Sequence, residues 1–250
     1  MNKIILLTAC VNPNGMALTA LQDTDERLRQ YEGALNWYLD NTDLPILFVE
    51  NTGYDISKRY LHQIEDGRLE VLSFNGNIYP RELGKGYGEA KILEYALNHS
   101  TSLEKVDIVI KITGRLICCN VNTIVKSSKR SDTVMGVVIK DRWNRLQCKS
   151  QVVILPKKFL QYYFLPLSSR LNDTNHYWFE HLLWDASEQW QKDGFRFKEL
   201  VTLPRIKGQS GSMGTNYAVS TWDIVTQPLK AIVHDSFHYY GSLNPLSKLK

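Results

Sequence analysis

The run DIVIKITGRL (residues 107–116) is a hydrophobic stretch with a lysine inside it, and it closes on Thr113, Gly114 and Arg115. A segment this apolar belongs in a core, and long cations enter a core only with a partner or a task. Lys111 and Arg115 are therefore candidates to meet a phosphate or a sugar acid, beside the Thr113 hydroxyl and the Gly114 hinge. Snorkelling outward from the strand end is the plain alternative. Asn12, Glu50 and Asn51 follow two other apolar runs and carry the amide and carboxylate groups that hold a base and ribose. Turn residues ending a strand would look the same.

Two glycine-rich stretches add candidates. ELGKGYGEAKI sets Lys85, Gly86, Tyr87 and Gly88 ahead of a helical pattern, where backbone amides can face an anion or a sugar. Its spacing is not that of a Walker loop, and it stands too far behind a strand for the dinucleotide fingerprint. RIKGQSGSMGTNY spaces Gly208, Gly211 and Gly214 regularly among the hydroxyls of Ser210 and Ser212. That composition suits a loop that closes over a ligand and excludes water, or a surface excursion.

Acid–base chemistry has two candidate clusters. HYWFEHLLWDAS places Glu180, His181 and Asp185 on one helical pattern, and IVHDSFHYYG places His234 and His238 four residues apart. The second resembles the spacing of zinc hydrolases, but Asp235 stands where a glutamate belongs and no third ligand emerges, so no metal site is assigned. A histidine with a carboxylate neighbour suits the removal of a proton from a hydroxyl. Solvated helix-surface histidines are the competing reading.

The elements that must position these groups alternate. KIILLTAC, LPILFVENTG, LEVLSF and VDIVIKI read as buried strands; DTDERLRQYEGALNWYLDN, a segment around 56–64 and GKGYGEAKILEYAL read as the helices between them. In the first of these helices Leu28, Tyr31, Leu35 and Tyr38 recur at helical spacing. This order predicts an α/β fold with a mainly parallel central sheet flanked by helices, and ligands at the carboxyl ends of its strands. The second half adds strands in TVMGVVI, SQVVILP and FRFKELVTL, a helix in NHYWFEHLLWDASEQW and a last helix from about Trp222 to Tyr240. No linker or repeat separates the halves, so a single domain over 1–250 is expected.

The 250 residues, 43% hydrophobic and 22% charged, exclude a disordered chain. A net charge of +4 is too small to indicate nucleic acid, yet it suits a phosphorylated substrate or an anionic membrane surface. Ile4 to Leu7 is too short for a signal core or a membrane span, which predicts a cytoplasmic chain, with the lysines of the final LSKLK making at most weak contact at the inner face of the membrane. Cys10, Cys118, Cys119 and Cys148 lack ligand spacing and are expected as small buried side chains. No cofactor is expected.

Together, the strand-end crevice, the closing loop and the lack of an Asp-x-Asp resemble small bacterial glycosyltransferases of the GT-A type of fold, of the kind used in capsule or O-antigen assembly. The resemblance rests on KGYGEAKILEYAL followed by DIVIKITGRL and, more loosely, on WFEHLLWD. It implies a GT-A-like domain whose residues 1–120 hold a nucleotide sugar and whose residues 121–250 hold an oligosaccharide or lipid-linked acceptor. It departs from the family where Thr113, Gly114 and Arg115 replace the metal-binding carboxylates. That departure implies a metal-independent site, with Lys111 and Arg115 stabilising the leaving phosphate. CMP-sialic acid or a related acidic sugar then becomes the favoured donor, as in metal-independent sialyltransferases, where a histidine acts as base and tyrosines hold the phosphate. Those tasks would fall here to His238, Tyr239 and Tyr240, or to His181, with Glu180 a further base. A UDP- or GDP-hexose donor stands as the alternative, and a carbohydrate-binding protein without catalysis as the rival of another class.

Overall fold

A computed structural model describes residues 1–16, 19–211, 214–217 and 221–242, the last helix by its backbone alone at 221, 223 and from 234 onward. The chain opens with β1 (Lys3–Ala9), α1 (Thr24–Asn41), β2 (Ile46–Glu50), a 3₁₀ turn (Ser57–Arg59), α2 (Leu61–Glu65), β3 (Leu69–Ser73), α3 (Gly84–His99), α4 (Thr101–Glu104) and β4 (Ile108–Thr113). There follow β5 (Ile117–Cys118), α5 (Val121–Ser127), β6 (Thr133–Gly136), β7 (Val138–Lys140), β8 (Leu146–Cys148) and β9 (Val152–Pro156). The chain closes with α6 (Lys157–Phe159), which runs on through π and 3₁₀ turns to Arg170, then α7 (Phe179–Lys192), β10 (Arg196–Glu199), β11 (Ile206–Lys207) and α8 (Thr221–Ser242).

Among the described residues a seven-stranded sheet has the order β10-β6-β9-β4-β1-β2-β3. The pairs β1–β2, β1–β4, β2–β3 and β6–β10 are parallel, while β9 runs antiparallel to both β4 and β6. The expected α/β class with a mainly parallel sheet is the one observed. β5 pairs with β11, and β7 with β8, as two separate ribbons.

Alternation along the strands sorts the core into two layers. Ile4, Leu6, Val109 and Val153 share one layer with Leu93 of α3 and Phe179 and Trp184 of α7; Ile5, Leu7, Phe48 and Ile110 share the other with Tyr31, Leu35 and Tyr38 of α1. Lys111 stands two residues after Val109, so the pleat sends it toward α3 and α7. Asp23 caps α1, its Oδ1 accepting from Glu26 N at 2.7 Å.

Several expected elements differ in detail. The helix around 56–64 is a 3₁₀ turn and a short α2, interrupted at Tyr60. TVMGVVI is two strands, because the chain leaves the sheet after Gly136 to form the β7–β8 hairpin. The cysteines are free thiols, but only Cys118 and Cys148 are buried; Cys10 is half-buried and Cys119 exposed. α8 lays Gln227 and Ala231 inward and turns Trp222, Val225 and Leu229 outward. No helix of the described residues is long and apolar enough to cross a membrane.

Candidate functional site

The carboxyl ends of β1, β2, β3, β4 and β6 and the amino end of β9 form one rim, which carries Glu50, Asn51, Thr113 and Gly114 of the sequence-predicted residues. Its centre is Lys111, a side chain with no solvent exposure. The ammonium forms an ion pair with Glu89 of α3, donates to Ser150 O at 2.7 Å, lies 3.4 Å from Thr113 Oγ1 and sits 5.2 Å from the centre of the Phe179 ring. Thr8 of β1 donates to the same Glu89 at 2.9 Å, and Ser150 donates through its hydroxyl to Glu180 at 2.5 Å. A hydrogen-bonded chain Thr8–Glu89–Lys111–Ser150–Glu180 thus crosses the rim from β1 to α7. Lys111 is neutralised within it, so its charge is committed to the protein.

Glu180, in the first turn of α7, is the half-buried end of this chain. His181 turns elsewhere: its Nδ1 accepts from Trp178 N at 3.2 Å, and its Nε2 reaches Asp141 at 3.1 Å. Burial and the nearby Arg145 charge hold His181 below its ordinary pKa, against the pull of Asp141. The imidazole is therefore neutral, with its proton on Nε2, and caps α7 rather than facing the rim. Burial raises the Asp141 carboxyl, yet the Arg145 backbone and guanidinium, the Trp143 amide and His181 outweigh it and bring it down to about 2. Asp185 does not meet His181; it accepts from Tyr177 and Arg170.

Arg115 lies on the α1 side. It is 6% exposed, donates to Gln30 Oε1 at 2.7 Å, and keeps its Nε without a partner. Gly211 covers it: a Cβ there would fall 2.7 Å from the guanidinium. Ala20 N donates to Gly211 O at 2.9 Å and Ser210 N to Thr215 O at 2.8 Å, and Ser210 itself is buried. Gly114 N donates to Thr8 O, so the turn after β4 is seated on β1.

At the β2 end of the rim Glu50 is fully buried and accepts from Val11 N, Thr52 N, Thr52 Oγ1 and Tyr54 N. It shapes the loops after β1 and β2. Asn12 is exposed; its Oδ1 accepts from Asn14 N and its carbonyl from the Asn77 amide at 3.1 Å. Asn51 and Asn77 are 1% and 8% exposed, and each leaves its Oδ1 without a partner, as does Ser73 Oγ at the end of β3. Buried acceptors are rarely left idle. Two idle amide oxygens beside one loop can receive N–H groups of a ligand.

The glycines of the α3 start serve close packing. A Cβ on Gly84 would strike Asp173, one on Gly86 would crowd Phe179 N at 3.2 Å, and one on Gly88 would strike Tyr79 Oη. Asp173 Oδ2 accepts from Lys85 N at 3.0 Å, and burial, opposed by the Lys85 charge, pushes its carboxyl up to about 6. Tyr87 packs edge-on against Tyr79, and the Lys85 side chain is exposed. Ser212 lies outside the described residues, as do the side chains of His234, His238, Tyr239 and Tyr240 and the final LSKLK.

Among the described residues no three His, Cys, Asp or Glu side chains converge as a metal-ion donor set. A cavity of about 640 Å³ adjoins the rim beside β6 and β9, lined by Val137, Val152, Leu203 and Ile206 with Lys149 and Gln151 among its polar groups. Thr8, Ser150, Asn77 and Asp173 give no functional signal in the sequence. Single polar residues in strands and loops carry no spacing signal, and only the packed fold shows what each of them meets.

No protein-family model and no curated protein sequence matches the chain. Among solved structures, it is similar to the apo-form glycosyltransferase GlyE of Streptococcus pneumoniae TIGR4 (13% identity, TM-score 0.46, covering 79% of this chain and 45% of that one). It is also similar to the inositol-1-phosphate CTP transferase from T. maritima (13%, TM-score 0.41, 80% and 85%) and to the mannosyltransferase Ktr4p from S. cerevisiae (9%, TM-score 0.42, 70% and 62%). The chain thus spans less than half the length of GlyE. At these values the similarity bears on neither substrate nor chemistry.

Proposed function

We propose that this chain is a glycosyltransferase that moves a sugar from a nucleotide-activated donor to a glycan acceptor by direct displacement at the sheet rim. The observation that carries the reading is the hydrogen-bonded chain from Thr8 to Glu180, which ends on a half-buried carboxylate near the start of β9, while the idle acceptors of Asn51 and Asn77 follow β2 and β3 further along the same sheet. Glu180 takes the acceptor hydroxyl proton, and the freed oxygen bonds the anomeric carbon. The bond from that carbon to the phosphate oxygen breaks, leaving its electron pair on the nucleotide. Arg115, under Gly211 with its Nε unsatisfied, is the cation assigned to that developing charge. Lys111 holds Glu89 and Ser150 in place and touches neither reactant.

Asn51 and Asn77 offer two acceptor oxygens, which suits a base edge rich in N–H donors, such as the cytosine amino group or guanine, better than the single imide N–H of uracil. This favours a CMP-activated acidic sugar, with a GDP-hexose next. The test is a panel of nucleotides scored by the rise in melting temperature, and of nucleotide sugars scored by nucleotide release, with chelator present. Cytidine protection and chelator-resistant CMP release are expected, and Glu180→Gln should lose release by about a hundredfold or more while keeping the thermal shift. Absence of protection by every nucleotide would overturn the reading; manganese-dependent uridine protection would replace its donor. Sugar binding without nucleotide release would make the chain a carbohydrate-binding protein.

A further inference from the structure

The β7–β8 hairpin rises from the rim between β6 and β9, and its tip, Asp141 to Arg145, is built with more care than a connecting turn needs. Asp141 accepts from Trp143 N and Arg145 N at 2.8 Å each, from the Arg145 Nε at 2.8 Å and from His181 at 3.1 Å. Asn144 takes the left-handed conformation (φ 64°) that closes the turn. Arg145 also donates to His176 O at 2.9 Å, which fastens the tip to the segment before α7. Four hydrogen bonds to one carboxylate thus hold a turn whose outermost side chains are left in solvent.

Those side chains are Trp143, 44% exposed, and Arg142, whose guanidinium lies 3.9 Å from the centre of the Trp143 ring. The rings of His176 and Trp178 stand 4.8 and 5.9 Å from Trp143, and Trp178 is the residue that begins α7, two before Glu180. Arg145 is committed to Asp141 and His176, whereas Arg142 makes no hydrogen bond or ion pair to any described residue and keeps its fork of donors for something else. An indole pre-ordered by its neighbours, with the Arg142 and Arg145 guanidiniums 3.9 and 4.9 Å from its ring centre, offers its remaining exposed apolar surface at little entropic cost, and the stacked Arg142 is aimed and always charged.

We infer that this tip is a binding subsite for a saccharide that carries a negative charge, a carboxylate or a phosphate. The C–H face of the sugar lies on Trp143 and Trp178, and the anionic group forks onto Arg142. Because Trp178 stands two residues before Glu180 at the start of α7, that sugar is assigned as the acceptor, an assignment that rests on the glycosyltransferase reading; the binding itself does not.

The experiment measures saccharide binding without any nucleotide, by saturation-transfer NMR and calorimetry, using methyl β-glucuronide, glucose 6-phosphate and neutral methyl β-glucoside. At least one charged sugar should bind about tenfold tighter than the neutral one, as a charge-assisted hydrogen-bond pair provides. Tighter binding of the glucuronide identifies a carboxylate as the recognised group, and tighter binding of the phosphate identifies a phosphosugar. Arg142→Ala should erase the preference, and Trp143→Ala should lose binding of all three, with melting temperatures of both variants near that of the parent. Equal affinity for charged and neutral sugars, or a preference that survives Arg142→Ala, would overturn the proposal. Nucleotide-induced thermal shifts on the same variants separate the two ideas: they should be unchanged if only the saccharide subsite is lost, and absent in the parent if the transferase reading itself fails.

Discussion

Lys111 shows what a single residue type does and does not declare. Its run is so apolar that burial was legible from the sequence, and burial of an ammonium requires a counter-charge. Which counter-charge was not legible, because Glu89 reaches it from a different element, across a strand-to-helix contact that only the fold creates. The positive charge, expected from the sequence to face a substrate phosphate, meets Glu89, Ser150 and Thr113. A buried pair behaves asymmetrically, since removing one member strands the other. Lys111→Met should cost about 3–5 kcal/mol. Lys111→Met combined with Glu89→Gln should recover a large part of that loss, because no charge is then left without its partner. Urea denaturation of the two single variants and the double variant closes the cycle. Strictly additive losses would show that the two side chains do not depend on each other.

Elements were legible where one pattern ran long enough. The continuous apolar runs of β1, β2 and β4 and the helical spacing of α1 were read correctly because each has only one way to bury its surface. The β7–β8 hairpin was not, since its tip, DRWNR, lacks the Asn-Gly or Asp-Gly pair that announces a tight turn and uses Asn144 with an Asp141 carboxylate instead. Glycines were ambiguous in the same way, and two of them separate the roles. Gly114 ends β4 where a Cβ would lie 2.7 Å from Thr8 O, a backbone atom that can yield only if β1 and β4 part at the rim. Gly33 lies within α1 with nothing inside 4 Å of its would-be Cβ. Gly114→Ala should therefore destabilise by about 1–3 kcal/mol, while Gly33→Ala should stabilise by about 0.5–1 kcal/mol. Thermal melts of the two variants should move in opposite directions. A neutral Gly114→Ala would mean that the turn after β4 is not seated on β1 as described.

For the molecule as a whole, the pH dependence of folding follows from which carboxyls it buries and how each is received. Asp141 is met by several donors and held down to about 2, so the stability it contributes is present above its unfolded value and is lost as pH falls through about 2. Asp173 is the opposite case. It is wedged between the start of α3 and the segment before α7, and burial raises it to about 6, so the folded protein keeps its proton where the unfolded chain, near 3.9, has released it. The folded state binds more protons between those values, and stability must fall as pH rises through them, by up to about 3 kcal/mol. His181, lowered by burial, works against this slope: the unfolded chain takes up a proton first as pH falls below its ordinary value. The two contributions overlap in the wild type, and a substitution separates them. Asp173→Asn keeps an oxygen for Lys85 N and abolishes the carboxyl titration, so its melting temperature relative to the parent should climb from pH 4 and level off above about pH 6. Parallel melting curves for the two proteins across that range would mean that Asp173 titrates as it does in the unfolded chain, and that the junction of α3 with the segment before α7 is open to water.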